Sequence, residues 1–436
     1  MVAAGVLFVE CLVLAFLQGC GVEGRPMELI LTFFALFTVA YFWDLGRIPR
    51  LKPVSVPLAL GYLMRMGLLF FDLYGRSIYS LPNSGSDSEM FYEQGMQLAI
   101  YGTTSRDGAF VRLLGSAFAW LGYSRIYVQF LLLLLSVVAI HALNRILEEE
   151  LVSQPIRVKT MYLVCLLPNF AILSSIFLRE SVVTILIALS VLCFLRWLRG
   201  GKEHWFWLAF ALAFGGASFH TGSVAVAVGY ILVRFFYHRD RQVFAFSWKN
   251  ILPAVLFFMV FLYLFVNYGD WFFGKIVKID GIEDIATGRG LGGSSYAAYV
   301  GDSSTVWNMI RYTPARVLYF LFSPFPWQWR GISDIIAFAF NSMFYIWTLV
   351  RAFRYLKVGY LQYRSEVIAL LLIAMCTLFV FGWGVSNTGT AVRHRDKMVI
   401  LYGILWALSA RPKLVVAQPK PLSNWHSYRR RFGGTR

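Results

Sequence analysis

Long apolar segments recur along this chain and constrain its fold more than any other feature. Their lengths are close to the roughly 20 residues that a helix needs to cross a hydrocarbon layer. Hydrophobic residues make up 58% of the sequence and charged residues only 14%, whereas a soluble domain carries about a quarter charged residues. The sequence therefore predicts an all-α polytopic membrane protein with about twelve transmembrane helices. The segments lie near 3–20, 28–43, 54–74, 124–144, 158–177, 181–197, 205–219, 222–237, 250–267, 333–352, 365–384 and 397–410.

The basic loops between these segments predict the orientation of the chain. Lysine and arginine collect in cytoplasmic loops, and the number of crossings places the most basic loops on one side of the membrane. Both termini are then expected in the cytoplasm, with residues 411–436 forming a basic tail that contacts anionic lipid. The basic loops are 47–52, 145–159, 196–202, 234–249 and 351–364.

Residues 1–410 are predicted to form a single transmembrane bundle. Two weaker apolar segments, 108–122 and 313–329, do not fit the alternation of crossings. We expect both to be amphipathic or re-entrant helices at the outer surface. The outer loops are expected at 75–123, 268–332 and 385–396.

Net charge and cysteine content exclude several functional classes. The net charge of +17 is explained by the positive cytoplasmic loops, so no nucleic acid is expected as a partner. The five cysteines all lie in apolar segments without the spacing of metal ligands. No metal and no cofactor are therefore expected.

Many basic residues remain on the side predicted to face outside, where the positive-inside rule does not explain them. Arginine is always charged and offers a planar fork of donors that suits phosphate. An arginine-rich outer surface therefore favours a polyprenyl-phosphate or polyprenyl-pyrophosphate ligand. These residues include Arg76, Arg106, Arg112, Arg125, Arg179, Lys275, Lys278, Arg289, Arg311, Arg316, Arg330, Arg393, Arg395 and Lys397.

Three short clusters concentrate the candidate site residues at predicted outer turns. The clusters are 177–181 with Arg179 and Glu180, 218–222 with His220, and 389–397. A charge at membrane depth is expensive unless it is paired or functional. From these clusters and the outer loops, the residues predicted to bind phosphate are Arg179, Arg289, Arg311, Arg393, His394 and Arg395.

A general base would have to come from the acidic residues or from histidine. Asp87 lies in the acidic stretch 85–89 on the first outer loop, and Glu180 follows Arg179 directly. Asp87, Glu180 and His220 are the three catalytic candidates, and the sequence does not choose among them. Arg289 belongs to the glycine-rich stretch 287–296, whose backbone amides could approach an anion or form a mobile lid.

The run 177–232, from FLRESVV to GYIL, resembles the EpsG-type polysaccharide polymerases of the broader Wzy-like group. That family shows an arginine opening one helix, a basic cytoplasmic turn, and then a Phe-His-x-Ser-like turn. Here the arginine is followed by Glu180 instead of the usual glutamine, and Thr-Gly-Ser follows His220. The early loop with Asp87 also looks like that of GT-C glycosyltransferases, which use lipid-linked donors.

The resemblance implies a polymerase at the outer face of the bacterial inner membrane. Such an enzyme joins oligosaccharide units carried on polyprenyl pyrophosphate, and a chain-length regulator would be a further partner. A GT-C transferase using a polyprenyl-phosphate sugar is the first alternative. A flippase for lipid-linked sugars is the second alternative. It would need a continuous polar path through the bundle, whereas the charges are concentrated at one face, with Arg65 as the main exception.

Overall fold

The computed structural model describes residues 26–105, 107–239, 241–273, 295–296, 300, 306–358 and 363–410. These residues are mostly helical. Two short antiparallel strands, β1 (Tyr237–His238) and β2 (Val243–Phe244), pair Tyr237 with Phe244. The helices are α1 (Pro26–Arg47), α2 (Ser55–Tyr74), α3 (Ser86–Tyr101), α4 (Ala109–Leu121), α5 (Arg125–Glu149), α6 (Gln154–Cys165), α7 (Pro168–Ser175), α8 (Glu180–Leu198), α9 (His204–Phe219), α10 (Val224–Phe236), α11 (Trp248–Phe273), α12 (Val306–Phe322), α13 (Ile332–Ile336), α14 (Met343–Lys357), α15 (Arg364–Gly384), α16 (Thr388–Asp396) and α17 (Val399–Leu408).

The fold is that of an all-α protein with helices suited to a membrane. Within the described residues, five helical segments are long and apolar enough to cross a bilayer, and a sixth counts if one bent pair is a single span. The predicted segments all coincide with helices, except 3–20, which lies outside the described residues. The five segments are Lys52–Tyr74, Arg125–Glu149, Glu180–Leu198, Ile332–Lys357 and Arg364–Gly384.

The predicted number of about twelve crossings is not supported. Helices α9, α10 and α17 have 16, 13 and 10 residues, so at about 1.5 Å per residue none reaches across roughly 30 Å alone. Helices α1 and α11 coincide with predicted crossings but are not among the five. Hydrophobicity located the helices correctly but did not reveal which of them are too short to cross a bilayer alone.

The predicted crossing 158–177 is a broken element. Helices α6 and α7 meet at an angle of 56°. Pro168, at the first position of α7, has no N–H to continue the hydrogen bonding of α6. The buried Arg65 of α2 donates to the orphaned carbonyl of Cys165 at 2.8 Å and to Ser174 Oγ at 2.9 Å. Arg65 is thus engaged in holding this break together.

Helix α17 forms the centre of the bundle. All ten of its residues are buried, and it contacts α5, α6, α8, α14 and α15. A helix that is apolar on every side must be enclosed by protein or lipid, and here the protein encloses it. Helix α16 directly precedes α17, so its charged residues are carried to one end of the bundle centre.

The two segments predicted to be amphipathic or re-entrant helices differ from each other in structure. Segment 108–122 is α4, which packs against α3 as a helical hairpin within the predicted loop 75–123. Segment 313–329 is the C-terminal part of α12 followed by a 3₁₀ turn at Pro326–Gln328. The predicted tail 411–436 lies outside the described residues.

The predicted basic loops meet at the end of α8 that carries Leu198. Its other end, at Glu180, carries several candidate site residues, and 19 residues at about 1.5 Å each separate the two by about 28 Å. Contacts between these loops include Arg157 Nη2 to the Arg50 carbonyl (3.4 Å), Arg196 to Glu149 (2.7 Å) and Ser365 Oγ to the Gln242 carbonyl (2.7 Å).

A close helix crossing gives the first prediction. A Cβ added at Gly229 of α10 would lie 2.9 Å from the Cα of Ile373 in α15. Gly229→Ala should therefore push the two helices apart and destabilise the protein by about 1–3 kcal/mol. Gly215→Ala, in α9, is the matched control, because nothing lies within 4 Å of that Cβ. Thermal unfolding in detergent measures both, and an equal response of the two variants would contradict the prediction.

Candidate functional site

Residues far apart in sequence meet at the Glu180 end of α8. Asp87 comes from the first turn of α3, Arg179 and Glu180 from the start of α8, and His220 from the turn between α9 and α10. Helix α16 supplies Arg393 and His394. With Lys397, which follows α16, these seven residues are named the charged cluster. Its members are Asp87, Arg179, Glu180, His220, Arg393, His394 and Lys397.

Arg393 joins the cluster together by contacting two carboxylates. Its Nε donates to Glu180 Oε1 at 3.0 Å, and its Nη1 donates to Asp87 Oδ2. The Glu180 side chain is 4% exposed, whereas that of Asp87 is 47% exposed. One guanidinium group therefore links a carboxylate in the bundle interior to a carboxylate at its surface.

Lys397 adds a second basic side chain on the same helix face as Arg393. Its ammonium lies 3.4 Å from Glu180 Oε1 and 3.3 Å from His394 Nδ1, and the side chain is fully buried. Positions four residues apart share a helix face, which accounts for the convergence of Arg393 and Lys397 on Glu180. The sequence places Lys397 in the candidate cluster 389–397 but not among the residues predicted to bind phosphate, although the four-residue spacing from Arg393 is a usable signal.

The two histidines form a contact of their own beside the ion pairs. The rings of His220 and His394 lie 4.3 Å apart at 88°, and Phe381 of α15 packs against both. Burial, followed by the charge of Lys397, lowers the pKa of His394 well below its usual 6.5. A neutral His394 agrees with the geometry, because its Nδ1 is placed to accept from the Lys397 ammonium.

Arg179 adds a positive charge beside the two carboxylates and forms no ion pair within 4.0 Å among the described residues. Its guanidinium lies over the ring of Phe91 at 5.6 Å, and its charge acts on Glu180, Arg393 and Asp87. Its Nε is buried and has no hydrogen-bond partner among the described residues. Arg179 is thus a donor beside Arg393 with unused hydrogen-bonding capacity.

Local structure fixes where the α16 side chains point. The Asn387 side chain caps the helix by accepting from the N–H groups of Gly389 (2.9 Å) and Thr390 (3.3 Å). The N–H of Tyr296 donates to the carbonyl of Ser386 at 2.9 Å and so holds the residue that precedes the helix cap. With the cap on one side and the enclosed α17 on the other, α16 has little freedom to turn.

Two of the residues predicted to bind phosphate are not brought into the cluster, and a third is not among the described residues. Arg395 lies two positions after Arg393, a rotation of about 200° around the helix, and donates to the carbonyls of Leu321 and Ser323. Arg311 is exposed on α12 with its guanidinium 5.7 Å from the Tyr312 ring, and no contact in the described part of the chain joins it to the cluster. Arg289 lies outside the described residues.

A second ionic network anchors the α3–α4 hairpin to the bundle. Glu89 of α3 pairs with Arg76 and with Arg125 of α5, whose Nη2 lies 2.6 Å from Glu89 Oε1. Arg76 also forks onto the buried Asp72, with 3.1 Å to each oxygen, and Gln129 donates to Asp72 at 3.0 Å. The sequence indicated these arginines and the acidic stretch 85–89 that contains Glu89, but not Asp72 or the pairing between them. Because Asp87 and Glu89 share a helical turn, this network sets the position of Asp87.

The Glu89 network predicts a pH-dependent contribution to stability. Burial alone would raise the pKa of Glu89. The hydrogen bonds from Arg125 and Arg76 outweigh burial and lower this pKa below its usual 4.5. A carboxylate with a lowered folded-state pKa stabilises the fold above pH 4.5, and this contribution is lost as the pH falls through the folded-state pKa. Glu89→Gln should thus cost about 1 kcal/mol at pH 7, and the difference from wild type should shrink below pH 4.5.

The control for this variant is Glu93→Gln, an exposed glutamate on the same helix. Unfolding in detergent at pH 7 and at lower pH compares the three proteins. A loss for Glu89→Gln that is the same at every pH would contradict an ionic contribution.

The acidic and histidine side chains of the charged cluster are not arranged as metal ligands. In the part of the chain that the structure describes, no three His, Cys, Asp or Glu side chains are grouped to hold a metal ion. The two acids of the cluster are each paired with arginine or lysine instead. What the cluster can do chemically is bind an anion and present a carboxylate beside it.

Comparison of the chain with family models, with curated proteins and with solved structures returned no match. The fold and the site define a helical protein suited to a membrane, with a largely buried charged cluster at one end of the bundle.

Proposed function

We propose that the protein is a membrane glycosyltransferase of the polysaccharide-polymerase type. It joins oligosaccharide units linked to polyprenyl pyrophosphate at the outer face of the bacterial inner membrane. The observation that carries this proposal is Arg393 held between Asp87 and Glu180, with Arg179 and Lys397 beside it. Arg179 and Arg393 offset the two carboxylates, and Lys397, whose pKa burial lowers to about 7, adds positive charge; this balance supports binding of a phosphate-bearing ligand.

The roles of the acidic residues follow from their exposure. Glu180 is enclosed and contacts both Arg393 and Lys397, so it positions these cations. Asp87 is half exposed at the surface end of Arg393, where a sugar hydroxyl can reach it. His394 is occupied by Lys397, and His220 packs against His394 and Phe381. Of the three candidate bases, the geometry favours Asp87.

The reaction then proceeds by displacement at the anomeric carbon of the donor glycan. A hydroxyl of the acceptor sugar attacks this carbon, and its proton passes to Asp87 as the new glycosidic bond forms. The bond between the anomeric carbon and the pyrophosphate oxygen breaks, and polyprenyl pyrophosphate leaves with that electron pair. Arg393 and Arg179 stabilise the negative charge that grows on the leaving group, which is commonly the largest contribution of such a site.

The GT-C alternative uses the same residues with a different donor. A polyprenyl-phosphate sugar would place one phosphate at Arg393 and Arg179, and Asp87 would again take the proton. The position of Asp87 favours this alternative, because the early loop with Asp87 resembles that of GT-C glycosyltransferases. Asp87 lies in the first turn of α3, the helix that follows α2. The length of the product distinguishes the two enzymes.

The test is glycan synthesis by purified protein in liposomes. Lipid-linked repeat units extracted from the native host membrane are added, and the glycans are separated on a gel. A ladder of lengths that disappears in Arg179→Ala supports the polymerase. A single added sugar from a polyprenyl-phosphate donor would support the GT-C transferase. Movement of lipid-linked sugar across the bilayer without a new glycosidic bond would reject both enzymes in favour of a flippase.

A further inference from the structure

The two carboxylates that hold Arg393 differ in how firmly they are fixed. Glu180 starts a long bundle helix, is almost fully enclosed, and also contacts Lys397. Asp87 sits in the first turn of α3, with nearly half of its side chain in contact with solvent. Ion pairs open to solvent are weak and exchange readily, whereas an enclosed pair is hard to separate. A ligand that competes for Arg393 would therefore replace Asp87 and leave Glu180 in place.

The charges of the cluster describe the ligand that would replace Asp87. With Asp87 removed, the cations Arg179, Arg393 and Lys397 face only Glu180, because His394 is neutral. Burial lowers the pKa of Lys397 to about 7, so near neutral pH the excess lies between one and two positive charges, which suits an anionic phosphate or pyrophosphate group. The buried Nε of Arg179 supplies a further donor that has no hydrogen-bond partner in the described residues.

The α3–α4 hairpin does not need to move for this exchange. Glu89, two residues after Asp87, is held by Arg76 and Arg125 independently of Arg393. Rotation of the Asp87 side chain about its own bonds is enough to release Arg393, while the backbone of α3 stays anchored. The released carboxylate then remains next to the ligand.

We propose that Asp87 is an exchangeable counter-ion that a phosphate or pyrophosphate group displaces from Arg393. In the free protein the pair masks both residues, and binding of the ligand frees the Asp87 carboxylate to act as the base. The second half of this inference rests on the proposed function, whereas the displacement does not. The distinctive consequence is that loss of the acid strengthens binding of the anion.

Binding to the full-length protein in detergent tests the displacement without any activity measurement. The probes are inorganic pyrophosphate and geranyl pyrophosphate, and affinities are measured by calorimetry for wild type, Asp87→Asn and Asp87→Ala. Both variants are expected to bind about fivefold more tightly than wild type, because a competing ion pair is gone. Asp107→Asn is the matched control, since Asp107 pairs with Arg112 in the same outer loop, and its affinity should equal that of wild type.

The outcomes separate this proposal from the proposed function. Unchanged or weaker binding in both Asp87 variants would overturn the displacement, and so would failure of wild type and variants to bind either probe. Tighter binding of geranyl pyrophosphate alone identifies a prenyl-linked ligand, and tighter binding of both probes identifies the diphosphate group as sufficient. Tighter binding without glycan synthesis by wild type would reject the proposed function and keep the displacement.

Discussion

Replacing Arg393 with alanine is expected to abolish glycan synthesis, with a loss of at least about a hundredfold in rate. Arg393 is the only described residue that contacts both Asp87 and Glu180, so its removal takes away the main phosphate donor and the link between the acids. The conservative variant Arg393→Lys keeps the charge but lacks the fork that reaches both carboxylates, and it should recover only a small part of the rate. The measurement is the rate of ladder formation in liposomes.

The control for Arg393 is an arginine at the same end of the bundle that does not link two carboxylates. Arg112 is exposed on α4 and pairs only with Asp107 among the described residues. Arg112→Ala should keep a rate close to that of wild type. Elution as a single species in gel filtration confirms that each variant is folded. A folded Arg393→Ala variant that still makes the ladder at half the wild-type rate would exclude Arg393 from the chemistry.

Glu180→Gln is expected to have the largest effect on stability, about 3–5 kcal/mol. The enclosed carboxylate compensates two cations, Arg393 and Lys397, and the fully buried lysine has no other acidic partner in the described residues. A neutral amide of the same size leaves those charges in a setting of low polarizability, where an unpaired charge is expensive. Unfolding in detergent should show the loss over a wide pH range.

The comparison for Glu180 is a glutamate that also contacts two cationic side chains but is exposed to solvent. Glu203 pairs with Arg234 and Arg239, and its side chain is 47% exposed. Glu203→Gln should cost no more than about 1 kcal/mol. Similar losses for the two variants would show that the enclosure of Glu180 does not matter.

Hydrophobicity predicted where the helices lie but not what surrounds them. A segment in contact with lipid and a segment enclosed by other helices need the same apolar composition, so 397–410 looked like a crossing. The structure shows α17 with ten residues and complete burial. Helices α9 and α10 are also too short to cross alone, although only five of the 16 residues of α9 are buried, so shortness and enclosure are separate properties.

The candidate site was predictable residue by residue but not as an arrangement. Arg179, Glu180, His220, Arg393 and His394 were each indicated by charge at a turn between apolar segments. Their convergence depends on the order in which helices surround α17, which the sequence does not encode locally. For the same reason Arg393 and Arg395 looked equivalent, although helical geometry sends the second to the Leu321 and Ser323 carbonyls.

The Glu89 network was missed because its partners are distant in sequence. Arg76, Arg125 and Asp72 belong to helices whose ends meet only in the folded bundle. Each residue alone looks like a loop charge near a membrane surface. Only the enclosed positions of Asp72 and Gln129 show that the network belongs to the framework.

The central position of α17 has a consequence for the order in which the molecule can be made. Synthesis proceeds from the N-terminus, so α5, α6, α8, α14 and α15 exist before α17, the helix that packs among them. Until α16 and α17 arrive, Glu180 has neither of its cationic partners. The arrival of the final enclosed helix completes both the core and the ionic contacts in one event. A nascent chain that stops short of residue 388 would therefore carry Asp87 and Glu180 but none of the groups that join them.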